Sequence, residues 1–205
     1  MTPTHAGHAT RYPAEFLALT DTDEKTLSVL NGSCVFAEPF VREDSLMAWE
    51  KSRRFIVEAL HGDGTIVDYG CANGYLLRCL QEWSGSRLEP FGVDNHPGRL
   101  NQARAMFPSL AHHFLDPAEL TESRIFDYVY WAVGDNVDFE RQENQNWLAL
   151  VRGHTAPGGR FIMGFYDTPE ANQRKLTVLR ARGTAFDAVL DNPAGSGEMI
   201  AWVDC

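Results

Sequence analysis

Basic residues are scarce in this chain. It carries 18 Lys and Arg against 28 Asp and Glu, a net charge of −10 over 205 residues. Bulk electrostatics therefore disfavour nucleic acid and anionic membrane surfaces as partners. Cysteine is sparse as well. Cys34, Cys71, Cys79 and Cys205 form no C-x-x-C pair and no Cys/His cluster at zinc-ligand spacing, so no metal is expected. Reduced thiols of this kind fit a cytoplasmic protein. No apolar run approaches the roughly 18 residues of a membrane span. The opening MTPTHAGHATRYP lacks the basic-then-apolar order of a secretory signal.

Two phosphate-binding signatures are also missing, and their absence bears on VDYGCANGYLL, residues 67–77. A short apolar strand there ends in Asp68, two glycines follow, and an apolar helical run begins. Such a turn brings backbone against a ligand. The dinucleotide fingerprint needs a middle glycine that Gly70-Cys-Ala-Asn-Gly74 does not have, and no Gly-Lys-Ser/Thr follows to make a P-loop. Asp68 would repel a phosphate and attract an ammonium group.

What is present is alternation. Strand patterns run over Thr65–Tyr69, Pro90–Asp94, Ala111–Asp116, Phe126–Ala132 and Gly159–Tyr166, with helical patterns over Gly74–Trp83, Gly98–Phe107 and Glu140–His154 between them. A last helix, Pro169–Gly183, precedes two strand-like runs, Ala185–Asp191 and Glu198–Asp204, around a Gly/Pro turn. This predicts an α/β fold with a seven-stranded, doubly wound mixed sheet, parallel except for an antiparallel C-terminal hairpin. Ahead of it, helical patterns near Asp21–Leu30 and Glu43–Leu60 predict an N-terminal helical cap. The expected division is residues 1–42 for the tail and cap segment and 43–205 for the Rossmann-like domain.

Strand two ends in Asp94, 24 residues after Gly70, the usual distance of a ribose-binding carboxylate from a glycine turn. Strand three ends in Asp116. In a doubly wound sheet these tips share one edge, so Asp68, Asp94 and Asp116 are expected to line one acidic crevice. Each has an ordinary alternative as a turn or helix cap.

At these residues the chain resembles the class I S-adenosylmethionine-dependent methyltransferases. VDYGCANGYLL resembles their first motif, FGVDN the acidic end of the second strand, FLD the third motif, FDYVYWA the fourth strand and APGGRFIMGFY the fifth with its preceding Pro-Gly-Gly turn. The resemblance runs from about Glu43 to the end and implies S-adenosyl-L-methionine as cofactor. It implies backbone contact from Gly70, Ala72 and Gly74, where many members have glycine at the place of Ala72. It also implies Asp68 facing the amino group, Asp94 on the ribose, Asn95 beside adenine, and Asp116, followed by Pro117, taking the adenine amino group.

Tyr130 or Trp131 at the tip of strand four would face the sulfonium through its ring. Methyl transfer needs chiefly alignment, and a base only where the acceptor must lose a proton. Asp135, His112, His113, His154 and Tyr166 are the candidates, with Asp135 and then His113 preferred; adjacent His112 and His113 on a strand would point to opposite faces. Tyr12, Phe36, Phe40, Met47 and Trp49 are expected to form an apolar lid, with Tyr12, Trp49 and Tyr166 as substrate contacts. A small-molecule acceptor is expected. The alternatives are RNA or protein acceptors, a non-catalytic adenosyl-ligand binder, and a nicotinamide-dependent oxidoreductase. The Asn-Pro-Pro-Tyr/Phe signature that would point to a nucleobase amine or a glutamine is absent.

Overall fold

The computed structural model describes residues 50–205 apart from 122 and 196. The boundary between 42 and 43, and the expected lid contacts Tyr12 and Trp49, lie outside them. β1 (Gly64–Tyr69) buries its last four residues on both faces, as a central parallel strand must. α1 (Tyr75–Ser84) follows, its start and end marked by Gly74 and Gly85 in left-handed conformation. Then come β2 (Leu88–Val93) and α2 (Pro97–Met106), whose first turn is capped by the His96 side chain accepting from Arg99 N at 3.3 Å. β3 (Phe114–Leu115), β4 (Phe126–Val133), α3 (Gln142–Gly153), β5 (Thr155–Phe165), α4 (Pro169–Ala181), β6 (Ala188–Asp191) and β7 (Met199–Asp204) complete the order.

The seven strands lie in the order β3-β2-β1-β4-β5-β7-β6. β1 to β5 are parallel; β7 runs antiparallel to both β5 and β6. Successive side chains on each strand point to opposite faces, and this sorts the core. Ile66, Tyr128, Tyr130 and Ile162 pack with α1, α2 and the 3-10 segment Arg54–Ala59. Val67, Val129, Trp131 and Met163 pack with Leu148 and Val151 of α3 and Leu176 and Leu179 of α4. Asp68 pairs in register with Gly92 and Tyr130, and Tyr69 with Val93 and Trp131, so β1 and β2 end level while β4 runs on to Val133. Strand order reverses at β1, and a doubly wound sheet opens a crevice at such a point.

Two elements differ from expectation. The third strand is two residues long, because Pro108–His113 is a 3-10 turn. Its neighbour β2 carries Pro90, which has no amide hydrogen to extend the ladder; Pro90 O bonds instead to Nδ1 of His113 at 3.1 Å. His112 and His113 therefore stack edge to face, 4.3 Å apart, rather than taking opposite faces of a strand. The Pro-Gly-Gly turn also lies within β5, not before it. It forms a bulge against β4, where the register shifts between Phe126 and Tyr128, and Gly158 there has φ +79°.

Candidate active site

The chain turns sharply at the carboxyl end of β1. Gly70, Ala72 and Gly74 all have left-handed backbone, with φ of 86°, 51° and 76°. At Gly74 a side chain is excluded by space as well: its Cβ would stand 3.0 Å from the Phe114 ring and 3.1 Å from Phe107. At Ala72 the cost lies in the backbone rather than in one extra methyl group. A left-handed L-residue costs about 1–2 kcal/mol. Glycine loses about 0.4–1 kcal/mol by freeing the unfolded chain. The balance favours glycine, so Ala72→Gly is expected to raise the melting temperature by about 1–3 °C. A calorimetric scan showing a lower value would refute the strain.

The turn is tied to the end of β2. Gly70 N and Cys71 N donate to Val93 O at 2.8 and 3.1 Å. Ala72 N donates to Asp94 Oδ2 at 2.9 Å, and His96 N to Asp94 Oδ1 at 2.8 Å. One buried carboxylate thus joins the glycine turn to the start of α2. Cys71 lies over Gly92, where any Cβ would meet its sulfur at 2.6 Å. Burial pushes its thiol well up, with the charges of Asp68 and Asp94 adding, so it is a packing residue and no nucleophile.

Asp68 is 3% exposed, and its Oδ1 has no hydrogen-bond partner. Burial pushes its carboxyl up to about 8, and the negative charge of Asp94 adds to this. Asn73, 1% exposed, accepts from Tyr75 N at 3.2 Å through Oδ1, while its Nδ2 has no partner. A buried acceptor and a buried donor, both unpaired, therefore line one chamber. Such atoms cost about 1–3 kcal/mol each unless a ligand satisfies them.

That chamber, about 420 Å³, lies between the glycine turn and the ends of β4 and β5. Tyr130 and Tyr166 join hydroxyl to hydroxyl at 2.5 Å in its wall, and the Arg53 guanidinium lies over the Tyr166 ring at 3.6 Å. Burial pushes both hydroxyls above the ordinary tyrosine range, so both stay protonated at neutral pH. Gly164 lies beneath the pair; a Cβ there would strike the Tyr130 hydroxyl. Lys175 Nζ bonds Gly134 O at 2.7 Å and lies 3.7 Å from Asp167, holding together the loops after β4 and β5. On the other side of Gly70 and Ala132, a cavity of about 230 Å³ is lined by Tyr69, Asp94, Asn95, Pro117, Trp131 and Trp147.

The structure thus brings Asp68, Gly70, Ala72, Asp94, Asn95, Pro117, Trp131, Asp135 and Tyr166 around two adjoining cavities, with Gly74 closing the turn. Other candidates fall elsewhere. Asp116 is spent on a capping box: its Oδ1 accepts from Ala118 N at 2.9 Å, while Glu119 takes its backbone N–H at 2.8 Å. It lines neither cavity, so the third acidic tip leaves the crevice. His113 stacks on Phe91 at 3.9 Å beside Pro90, within β2 rather than at its carboxyl end, and lines neither cavity. His154 likewise bonds Arg124 O at 2.7 Å, just before β4 begins.

Sequence reading missed Asn73, Arg53 and Lys175. Asn73 sits inside the quoted turn, but only the fold shows that its amide is buried and unpaired. Trp147, on α3, is 38% exposed and meets Tyr69 edge-on at 6.1 Å. A groove of about 700 Å³ beside Glu50–Glu58 and Leu190–Ala194 is larger than the chamber, but it abuts the start of the described chain and has no unpaired buried polar atom in its wall. Among the described residues no helix is long and apolar enough to cross a membrane, and no group of three or more His, Cys, Asp or Glu could hold a metal ion.

No protein-family model and no curated protein matches the sequence. Solved structures do match. A SAM-dependent methyltransferase from Aquifex aeolicus is 15% identical, covers 75% of this chain and 90% of its own, and has a TM-score of 0.54. The N-methyltransferase NodS from Bradyrhizobium japonicum is 13% identical over 79% of this chain and 97% of its own, at 0.56. The fibrillarin pre-rRNA processing protein of Methanococcus jannaschii is 12% identical over 75% and 74%, at 0.52. At these identities the likeness is one of fold: the chain has the class I, Rossmann-like fold of S-adenosylmethionine-dependent methyltransferases.

Proposed function

We propose that the chain binds S-adenosyl-L-methionine across the ends of β1, β2 and β4 and transfers its methyl group to a small-molecule acceptor. One observation carries this reading: beside a left-handed glycine turn, the carboxylate oxygen of Asp68 and the amide nitrogen of Asn73 are buried without partners. Together they match an amino-acid head, Asp68 for the ammonium and Asn73 for the carboxylate. The remaining groups fit the rest of the ligand. Asp94 already accepts two backbone N–H groups, but a carboxylate has about four lone-pair sites, so two remain for ribose hydroxyls. Asn95, Pro117 and the Trp131 ring offer walls for a base.

When bound, the cofactor supplies a methyl carbon already activated on a cationic sulfur. The protein's work is then to hold and align. Asp68, Asn73 and the turn fix one end, Asp94 the other, and the chamber beside Tyr130 and Tyr166 admits the acceptor. The neighbours' names range from an N-methyltransferase to a pre-rRNA processing protein, so the acceptor class is argued from this chain. A net charge of −10 and a chamber of about 420 Å³ favour a small molecule over RNA.

Calorimetric titration with S-adenosylhomocysteine tests the reading; micromolar binding is expected, with no response to NAD. The pH dependence is specific to Asp68. Its carboxyl, at about 8 in the free protein, must ionise to meet an ammonium group. Affinity should therefore rise roughly tenfold per pH unit from pH 6 and level off near pH 8, with about one proton released on binding at pH 7. A flat profile over that range would remove Asp68 from the amino-group contact.

A further inference from the structure

We propose that the acceptor taken up in this chamber carries a neutral carbonyl oxygen, held by the hydroxyl pair of Tyr130 and Tyr166. The inference rests on the methyl-transfer reading and narrows it. That reading gives Asp68, Asn73 and the glycine turn to the cofactor, and the tyrosine pair is none of these. It is a separate feature of the wall, carried by β4 and the end of β5. Tyr130 is fully buried and Tyr166 partly buried. A side chain at Gly164 would strike both the Tyr130 hydroxyl and Tyr166, so the two hydroxyls meet directly over that glycine. Gly164 is in register with Ala132, which lines the chamber as both tyrosines do. The pair therefore stands level with the chamber and not deeper in the core.

Its protons do not balance. Two hydroxyls bring two protons, and the bond between them uses one. Neither oxygen makes another hydrogen bond with a described residue, so one O–H proton has no acceptor. Spare lone pairs in a protein interior are tolerated more readily than a donor left without an acceptor. Burial holds both hydroxyls protonated, while the Arg53 guanidinium over the Tyr166 ring works against this and so favours donation. The wall thus calls for a ligand atom that accepts.

A carbonyl meets that requirement better than the charged alternatives. An ammonium group has only protons to offer. A carboxylate would face Asp135 and Asp167. The one cation lining the chamber among the described residues, Arg53, is turned to Ser52 O at 3.0 Å and Glu198 at 3.8 Å. A carbonyl oxygen accepts the proton, brings no charge past those acids and adds no donor of its own that needs a partner.

Saturation-transfer NMR on the full chain, saturated with S-adenosylhomocysteine at neutral pH, tests this with three probes. They are acetophenone, benzoate, and α-methylstyrene, which keeps the shape of acetophenone with a methylene in place of its oxygen. Acetophenone should bind about tenfold tighter than benzoate. In the double variant Tyr130→Phe with Tyr166→Phe, acetophenone affinity relative to α-methylstyrene should fall about tenfold, as loss of the partner of a buried oxygen gives. S-adenosylhomocysteine affinity should stay within about threefold, since removing both partners of one hydrogen bond at unchanged shape is nearly neutral for the fold. A purely structural role for the pair would move acetophenone and α-methylstyrene together. In the unmutated protein, the carbonyl stretch of bound acetophenone should lie below its frequency in an apolar solvent, a readout that needs no variant. An unchanged ratio in the double variant, an unshifted stretch, or benzoate binding as tightly as acetophenone would overturn the inference. So would a double variant that folds but loses S-adenosylhomocysteine, since the pair would then serve the cofactor. Where S-adenosylhomocysteine binds the unmutated protein and the carbonyl is not held, only the acceptor class falls; where it does not bind, the methyl-transfer reading falls and takes this inference with it.

Discussion

Asp68→Asn should lose S-adenosylhomocysteine affinity by about 100-fold or more and yet melt at a higher temperature at pH 8. The first half follows from removing one partner of a buried ion pair, which costs about 3–5 kcal/mol. The second follows from the free protein. The folded-state carboxyl of Asp68 stands at about 8, well above its unfolded value near 4. Between these values the folded chain holds a proton that the unfolded chain has released. The stability contributed by the neutral carboxyl is thus complete below about pH 4 and is lost as pH rises towards 8. Asparagine does not titrate, so the loss disappears. Its buried amide costs about 1–3 kcal/mol where unpaired, which offsets part of the gain. The net is a stabilisation of roughly 1–3 kcal/mol at pH 8 that fades towards pH 4. Equal melting curves for the two proteins across that range would show that Asp68 is not buried as described.

Asp94→Ala should lower both quantities together. Its carboxylate holds Ala72 N and His96 N, and hydrogen bonds to a charged group contribute about 1.5–3 kcal/mol each. Loss of both should destabilise the fold by roughly 3–5 kcal/mol, about 6–15 °C in melting temperature. S-adenosylhomocysteine affinity should fall by about 100-fold, since the turn loses its tether and the ribose its acceptor. Asp94→Asn keeps one amide acceptor and should recover part of the stability. The two aspartates, 26 residues apart in sequence, are thereby separated by the sign of their effect on folding. An unchanged melting temperature for Asp94→Ala would refute the tether. Unchanged affinity would refute the ribose contact.

Much of this architecture was legible in the residues. Strand and helix periodicity marked every major element, because alternation at period two and recurrence near 3.6 are direct records of which face is buried. The turn at Gly70–Gly74 and the acids at the ends of β1 and β2 could be read because one short segment contains each. The third acid could be read two ways, since Asp116 with Glu119 three residues on is also a capping-box pattern, and the cap is what the structure shows. β3 shortened for a reason held in another strand, the missing amide of Pro90. The Tyr130–Tyr166 pair was hidden for a similar reason. These residues are 36 apart, and their meeting depends on the β4–β5 register and on Gly164 leaving room for both rings. Register is set by the assembled sheet and leaves little trace in either strand alone.

Lys175 ties the loop after β4 to the loop after β5 from a helix 41 residues beyond the first. The acceptor side of the chamber is therefore no pair of interchangeable parts. A graft that brings in a new loop after β4 without its matching lysine would leave one backbone carbonyl and one aspartate without their shared cation. Variation here is expected to travel in sets, with the two loops and the helix position that clasps them exchanged as one inheritable module.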